Sequence, residues 1–468
     1  MSKKTKADLT LMQLIEEFEN SSKVIKPILW EDKHIQKLIH HFERQRNYDK
    51  AIEVIDMALH TYLYKTEYYL WKAKILITLR RSEEALVVLN KAKELSPNDP
   101  NILLQKAKAY ATLKDFHNAN ILLKEARKQT AKADEMEVLL VEAFIQECMK
   151  DYDQMFFTLR DALRVNPNNP EALEQIWISV EVSKKYHESI ELHRSIIDKN
   201  PYSYLAWYNL GHAYTCIGMY EEALEALDYS YIINPHYEQA CLDCADLALQ
   251  LNRIEEALHY FSEACERFGE DVDMVVNLAD CLIRLNRYKE AKVKLHKVAE
   301  QDPYNDEIFF LLGESYSGEY NWPKAIKYYL EAIEIDNERE EFHFSIAKAY
   351  EAKELFKKAE THFRKAALYG HEQSKYWASY IAFLIRHKFF EKAQKAISKA
   401  DRVSCGADIL YTKAAFAYFI ESKKESLIIL EEALSEDVSL KHIFEDLIPE
   451  FAGTKDYQAM VKYFGNLS

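Results

Sequence analysis

The chain has 468 residues, 48% of them hydrophobic, with a formal net charge of −15, nine glycines and seven cysteines. That acidic excess argues against nucleic acid as a partner, since phosphate binding needs an excess of Lys and Arg, and an odd, scattered set of cysteines is no disulfide framework. No apolar run approaches the ~20 residues of a membrane span and residues 1–26 lack a signal-peptide core, so the chain reads as cytoplasmic, without membrane insertion.

In chain order, the first feature is an apolar stripe of Leu11, Leu14, Ile15 and Phe18 behind the capping-box-like Thr10-x-x-Gln13. It predicts a short amphipathic helix in a segment 1–31 that caps the exposed face of the chain beginning at residue 32, or that lies in a groove or pairs two chains. Lys3, Lys4 and Lys6 ahead of it read as a solvated start.

From residue 32 to 468 the chain repeats about every 34 residues. Units open near Asp32, Thr66, Pro100, Met136, Pro170, Tyr204, Glu238, Val272, Asp306, Glu340, Ser374, Ala407 and Lys441. A small residue recurs at the eighth place of a unit (Ala73, Ala107, Gly211, Ala245, Ala279, Gly313) and another at the twentieth (Ala85, Ala119, Ala223, Ala257, Ala291, Ala325). Small side chains at both places let two antiparallel helices approach where they cross. Large apolar residues fill neighbouring places at helical spacing, as in Trp207, Leu210 and Tyr214. Pro97, Pro100, Pro167, Pro170, Pro201, Pro235 and Pro303 punctuate the joins between units, where one helix stops and the next starts.

Trp207, Leu210, Gly211, Tyr214, Ala223, Leu227 and Pro235 in one unit, and Phe309, Leu312, Gly313, Tyr316 and Ala325 in another, resemble the tetratricopeptide repeat family. The resemblance implies an all-α fold, an α-α superhelix (solenoid) of about thirteen tetratricopeptide-like helical hairpins whose first helices line a groove, and a usual role in binding peptides or partner proteins. Two stretches depart from the pattern. The unit from Pro170 carries Trp177, Ser189 and Ile196 where small residues are expected, and the last unit has Ile448, Pro449 and Met460.

Motifs of catalysis are missing. Gly313 and Gly318 have the spacing of a phosphate loop, but Glu319 and Tyr320 follow in place of Lys and Ser or Thr. There is no zinc-protease helix and no nucleophile elbow, and the repeats occupy almost the whole chain. The reading is a protein that is not an enzyme and carries no cofactor. Cys241 and Cys244 sit where a first helix packs, and read as core.

Function is therefore sought on the first helices, whose second, fifth, sixth, ninth and twelfth places share the face opposite the packed one. The sixth place holds Gln105, Gln175, Asn209, Asp243 and Asn277. A row of amides there would hydrogen-bond an extended peptide backbone, and Asn209 and Asn277 resemble the asparagine ladder of some tetratricopeptide superhelices. The ninth place holds His212 and then Asp246, Asp280 and Glu314, joined on the same face by Asp243, Asp273 and Glu307. Such carboxylates attract Lys or Arg of a partner. Repeats that clamp the acidic tail of a chaperone use Lys at the fifth place and Asn at the ninth, where this chain has Leu70 and Lys74, or Tyr208 and His212. The leading reading is an adaptor that binds an extended, basic peptide segment of another protein. The alternative is a self-associating scaffold, a homodimer paired through terminal repeats or the N-terminal helix, with Tyr62, Tyr64, Tyr68 and Tyr69 and Phe383, Phe389 and Phe390 as candidate apolar surface.

Overall fold

In the computed structural model, which describes residues 6–21, 31–130, 135–420 and 422–465, the chain is helical throughout, with no strand among the described residues. Lys3 and Lys4 lie outside them, as does the insertion at Ala131 and Lys132. After an N-terminal helix, Lys6–Ser21, come twelve helical hairpins, numbered 1 to 12 in chain order. Their first helices open at Asp32, Thr66, Pro100, Glu135, Pro170, Tyr204, Glu238, Val272, Asp306, Glu340, Ser374 and Ala407. The stretch from Val438 holds a 3-10 turn and three short helices, His442–Leu447, Pro449–Ala452 and Lys455–Gly465, instead of a full hairpin.

Two compact units divide the chain, 1–235 with hairpins 1 to 6 and 236–468 with hairpins 7 to 12. Within each, a second helix packs on its own first helix and on the first helix of the next hairpin, so that each repeat buries its apolar face on a neighbour. In the first unit Leu14 and Phe18 of the N-terminal helix are buried on hairpin 1, with the Phe18 and Phe42 ring centroids 5.6 Å apart.

Local sequence explains the helix ends. Asp99, Asn169 and Asp271 cap first helices through their side chains, and Asp115 and Asp151 cap second helices. Pro100 and Pro170 occupy the first turn, where a missing amide costs nothing. Between the two helices of each of hairpins 1 to 11 the backbone passes once through the left-handed region. Only Gly218 is a glycine there; Arg46, Arg80, Lys114, Lys150, Lys184, Asn252, Asn286, Tyr320, Glu354 and Lys388 carry side chains, with φ between 54° and 63°.

The small residues at the crossings are needed for space. A Cβ at Gly211 would stand 2.6 Å from Leu227 Cγ, and one at Gly313 would overlap the Tyr329 ring. Hairpin 5 solves the crossing differently. Ser189, at the twentieth place, is fully buried beside the equally buried His193. His193 Nδ1 donates to the Ser189 carbonyl at 2.8 Å, leaving Nε2 as the acceptor for the Asn209 amide of hairpin 6 at 3.2 Å. The same amide nitrogen donates to the Leu173 carbonyl at 2.7 Å. Burial holds His193 well below its ordinary value, at about 4, and therefore neutral. His193, beside Ser189, thus forms a polar clasp that joins hairpins 5 and 6.

Candidate functional site

That clasp changes the reading of the first unit. Asn209 is 2% exposed and its amide is already used inside the protein, so it cannot serve as a rung of a peptide ladder. Gln175 donates to Glu171 at 3.2 Å on its own helix, and His212 is held against the rings of Tyr208 and Trp177, at 4.4 and 5.0 Å between centroids. Gln105 lines a separate cleft of about 440 Å³ with Leu70, Trp71 and Lys74. The sixth-place residues of this unit therefore form no continuous row.

In the second unit both helices of hairpin 7, the first helix of hairpin 8 and the linker between the hairpins line a cleft of about 620 Å³. Glu238 and Asp246 come from Glu238–Gln250, Asp273 and Asn277 from Val272–Arg284, and Glu270 and Asp271 from the linker. Leu242, Phe261, Phe268 and Met274 supply apolar walls. Five carboxylates thus face one space beside an amide and four apolar side chains. The linker is shaped by Gly269, whose φ of 110° no other residue adopts without strain, and which ends the long second helix Ile254–Phe268.

Charge within the cleft is unevenly balanced. Glu270 accepts from Lys294 at 2.6 Å and pairs with Lys297, and these two hydrogen bonds hold its carboxyl down at about 2. Asp246 is exposed at its edge, yet loss of hydration raises its carboxyl above the ordinary value, with the nearby charge of Asp243 adding to the rise. Further along the same face Asp280 is raised first by burial, against the opposing effect of Arg284, whose Nε lies 2.8 Å from Oδ2. Glu314 accepts from the Tyr329 hydroxyl at 2.6 Å and raises Asp280 in turn. Burial also raises Glu307, although Arg339 lies 2.9 Å away.

Of the sequence-predicted residues, Asp246 and Asn277 meet in the cleft, Asp243 lies close to Asp246, and Asp280 and Glu314 neighbour one another beyond it. Reasoning by first-helix places missed Glu270, Asp271, Phe261 and Phe268, which come from a second helix and a linker. Phe-Gly-Glu-Asp at 268–271 was the available signal, a glycine and two acids near a join where other units place proline. Cys241 and Cys244 are fully buried, and the Cys241 thiol donates to the Tyr260 carbonyl at 3.4 Å, as core residues do. No group of three or more His, Cys, Asp or Glu able to hold a metal ion occurs among the described residues, and no described helix is long and apolar enough to cross a membrane.

With hairpins of constant length and small residues at each crossing, family models described as tetratricopeptide repeat match residues 37–100 and 242–306, and others of the same description match 194–225 and 217–264. The chain is a tetratricopeptide-repeat protein. Among similar proteins, tetratricopeptide repeat protein 37 of Xenopus laevis is 23% identical over 56% of this repeat protein and 17% of its own length. Tetratricopeptide repeat protein 21B of Xenopus laevis is 21% identical over 51% and 20%. The chain thus spans about a fifth of the length of these relatives. Among solved structures, yeast Tom70 aligns over 92% of this chain and 97% of its own at 16% identity and a TM-score of 0.43. The APC/C hetero-tetramer Cut9–Hcn1 aligns over 91% and 94% at 14% and 0.38. Tetratricopeptide-repeat scaffolds of this kind are typical of protein-interaction adaptors.

Proposed function

We propose that this protein is a non-enzymatic adaptor that binds an extended, Lys- or Arg-containing segment of a partner protein in the acidic cleft of hairpins 7 and 8. The observation that carries the reading is the meeting of Asp246, Asp271, Asp273 and Glu238 around one 620 Å³ space, with only Glu270 neutralised by lysines of its own chain. An incoming cation relieves the mutual repulsion of these groups, while Leu242 and Met274 offer apolar contact and Asn277 a donor and an acceptor for peptide backbone.

Self-association through the aromatic clusters has less support. Tyr68, Tyr69 and Phe383 are buried in the core, and the Tyr68 hydroxyl donates to Asp32 at 2.6 Å; of these aromatic candidates only Tyr64 is largely exposed.

Peptide arrays rich in Lys and Arg, probed with the wild type and with Asp246→Asn/Asp273→Asn at two salt concentrations, test the assignment. Expected is a set of bound peptides whose affinity falls with salt and drops about tenfold in the variant. Equal binding by both proteins would remove the cleft from the function.

A further inference from the structure

The charge of this acidic chain is reversed in one stretch. Residues 353–403 contain twelve lysines and arginines against five carboxylates. The stretch holds the second helix of hairpin 10 and the whole of hairpin 11, and much of its basic excess lies on the two second helices, Phe356–Tyr369 and Phe390–Val403. On the latter, Lys392, Lys395 and Lys399 recur at the spacing of one helical face. Arg364 faces them from the former across a groove of about 230 Å³.

The groove is more than a charged surface. Its floor is the edge of Trp377 and Tyr380 from the first helix of hairpin 11, and Leu368, 49% exposed, forms part of its wall. Lys392 is held by Glu360, with Nζ 2.7 Å from both carboxylate oxygens. Among the described residues Arg364, Lys395 and Lys399 have no carboxylate partner, so three cations around this space remain unneutralised. Glu360 and Arg364 act on the Tyr380 hydroxyl in opposite senses.

We propose that this groove is a second docking surface, which takes an acidic segment of a partner protein that carries one large apolar side chain. Carboxylates of the segment pair with Arg364, Lys395 and Lys399, and the apolar side chain fills a space sized for a single Leu or Phe. Charge complementarity argues for the acid. The apolar edge of Trp377 and Tyr380, with Leu368 in the wall, argues for a protein segment over a polyphosphate, which gains nothing from an apolar pocket. The cations of this site lie on second helices, and it shares no residue with the cleft of hairpins 7 and 8, so the two readings stand or fall separately.

The test uses the full chain and a short fluorescein-labelled peptide of Glu and Ser with one central Phe, read by fluorescence anisotropy. Binding at low salt is expected, weakened about tenfold by Lys395→Gln/Lys399→Gln and about fivefold when the central Phe is replaced by Ser. Both lysines are exposed, and matching thermal melts would show that the variant keeps its fold. No binding, equal binding of the Ser peptide, or equal binding of an oligothymidine of the same length would overturn the proposal. So would wild-type self-association, seen by sedimentation, that the variant abolishes, since a second copy would then be the occupant.

Discussion

Asn209 and Asn277 hold the same place in their repeats and do different work. Asn209 meets His193 at the twenty-fourth place of the preceding hairpin and is drawn into the core by it. Asn277 has Phe261 at that place, which offers no acceptor, and both side chains line an open cleft. One residue on a neighbouring second helix thus decides whether a polar first-helix residue fastens two hairpins together or faces an open cleft. A repeat place defines a position in space, and the side chain across the crossing defines its chemistry.

Acid should have its largest effect on the clasp through His193. His193 is held at about 4 in the folded chain against an ordinary value of 6.5, so the unfolded chain takes up this proton first. Its contribution to stability is complete above pH 6.5 and is lost as the pH falls toward 4, by at most ~3 kcal/mol for this one group. Urea titrations of the first unit's unfolding between pH 7 and pH 4 would show the slope. His362, also pushed down to about 4, adds a loss of the same sign in the second unit, so His193→Phe/Asn209→Leu must flatten the first transition for the comparison to hold.

A smaller effect comes from the asparagines themselves. Asn209→Leu leaves His193 Nε2 and the Leu173 carbonyl buried without their donor, at a cost of about 2 kcal/mol, whereas Asn277→Leu should stay within ~0.5 kcal/mol. Adding His193→Phe to Asn209→Leu replaces both polar partners by apolar ones and should recover part of the loss. Equal destabilisation by the two single Leu variants would erase the distinction drawn between the sites.

The smallest effect is also of opposite sign. The Asp246 carboxyl is raised, so the folded chain takes up its proton before the unfolded chain does, and acidification through that window stabilises. Asp246→Asn should therefore raise stability at pH 7 by a few tenths of a kcal/mol while weakening attraction for cationic peptides. A lower melting temperature for this variant would mean that the carboxylate is a structural group.

Much of the scaffold could be read in the sequence, because the alanines and glycines at most crossings are consequences of packing and the prolines at several joins stop one helix and start the next. Helix starts such as Tyr204, Glu238 and Val272 follow directly from that register. The site was legible only where it lies on first helices, as for Asp246 and Asn277. The fate of Asn209 depended on His193, sixteen residues earlier in a hairpin whose departures from the pattern gave no sign of a hydrogen-bonded clasp. The contributions of Glu270 and Phe268 depended on the path that Gly269 gives the backbone.

The left-handed linkers have a further consequence. Ten hairpins pass through that conformation on a residue with a side chain, which costs roughly 1–2 kcal/mol each beside glycine's loss of about 0.5–1 kcal/mol in chain freedom. The chain thus holds an unspent reserve of thermal tolerance, distributed over both units at positions outside the acidic cleft. Glycines set into Arg46, Arg80, Lys114 or Glu354 would draw on it, and the solenoid could be hardened repeat by repeat while its acidic cleft stayed as it is.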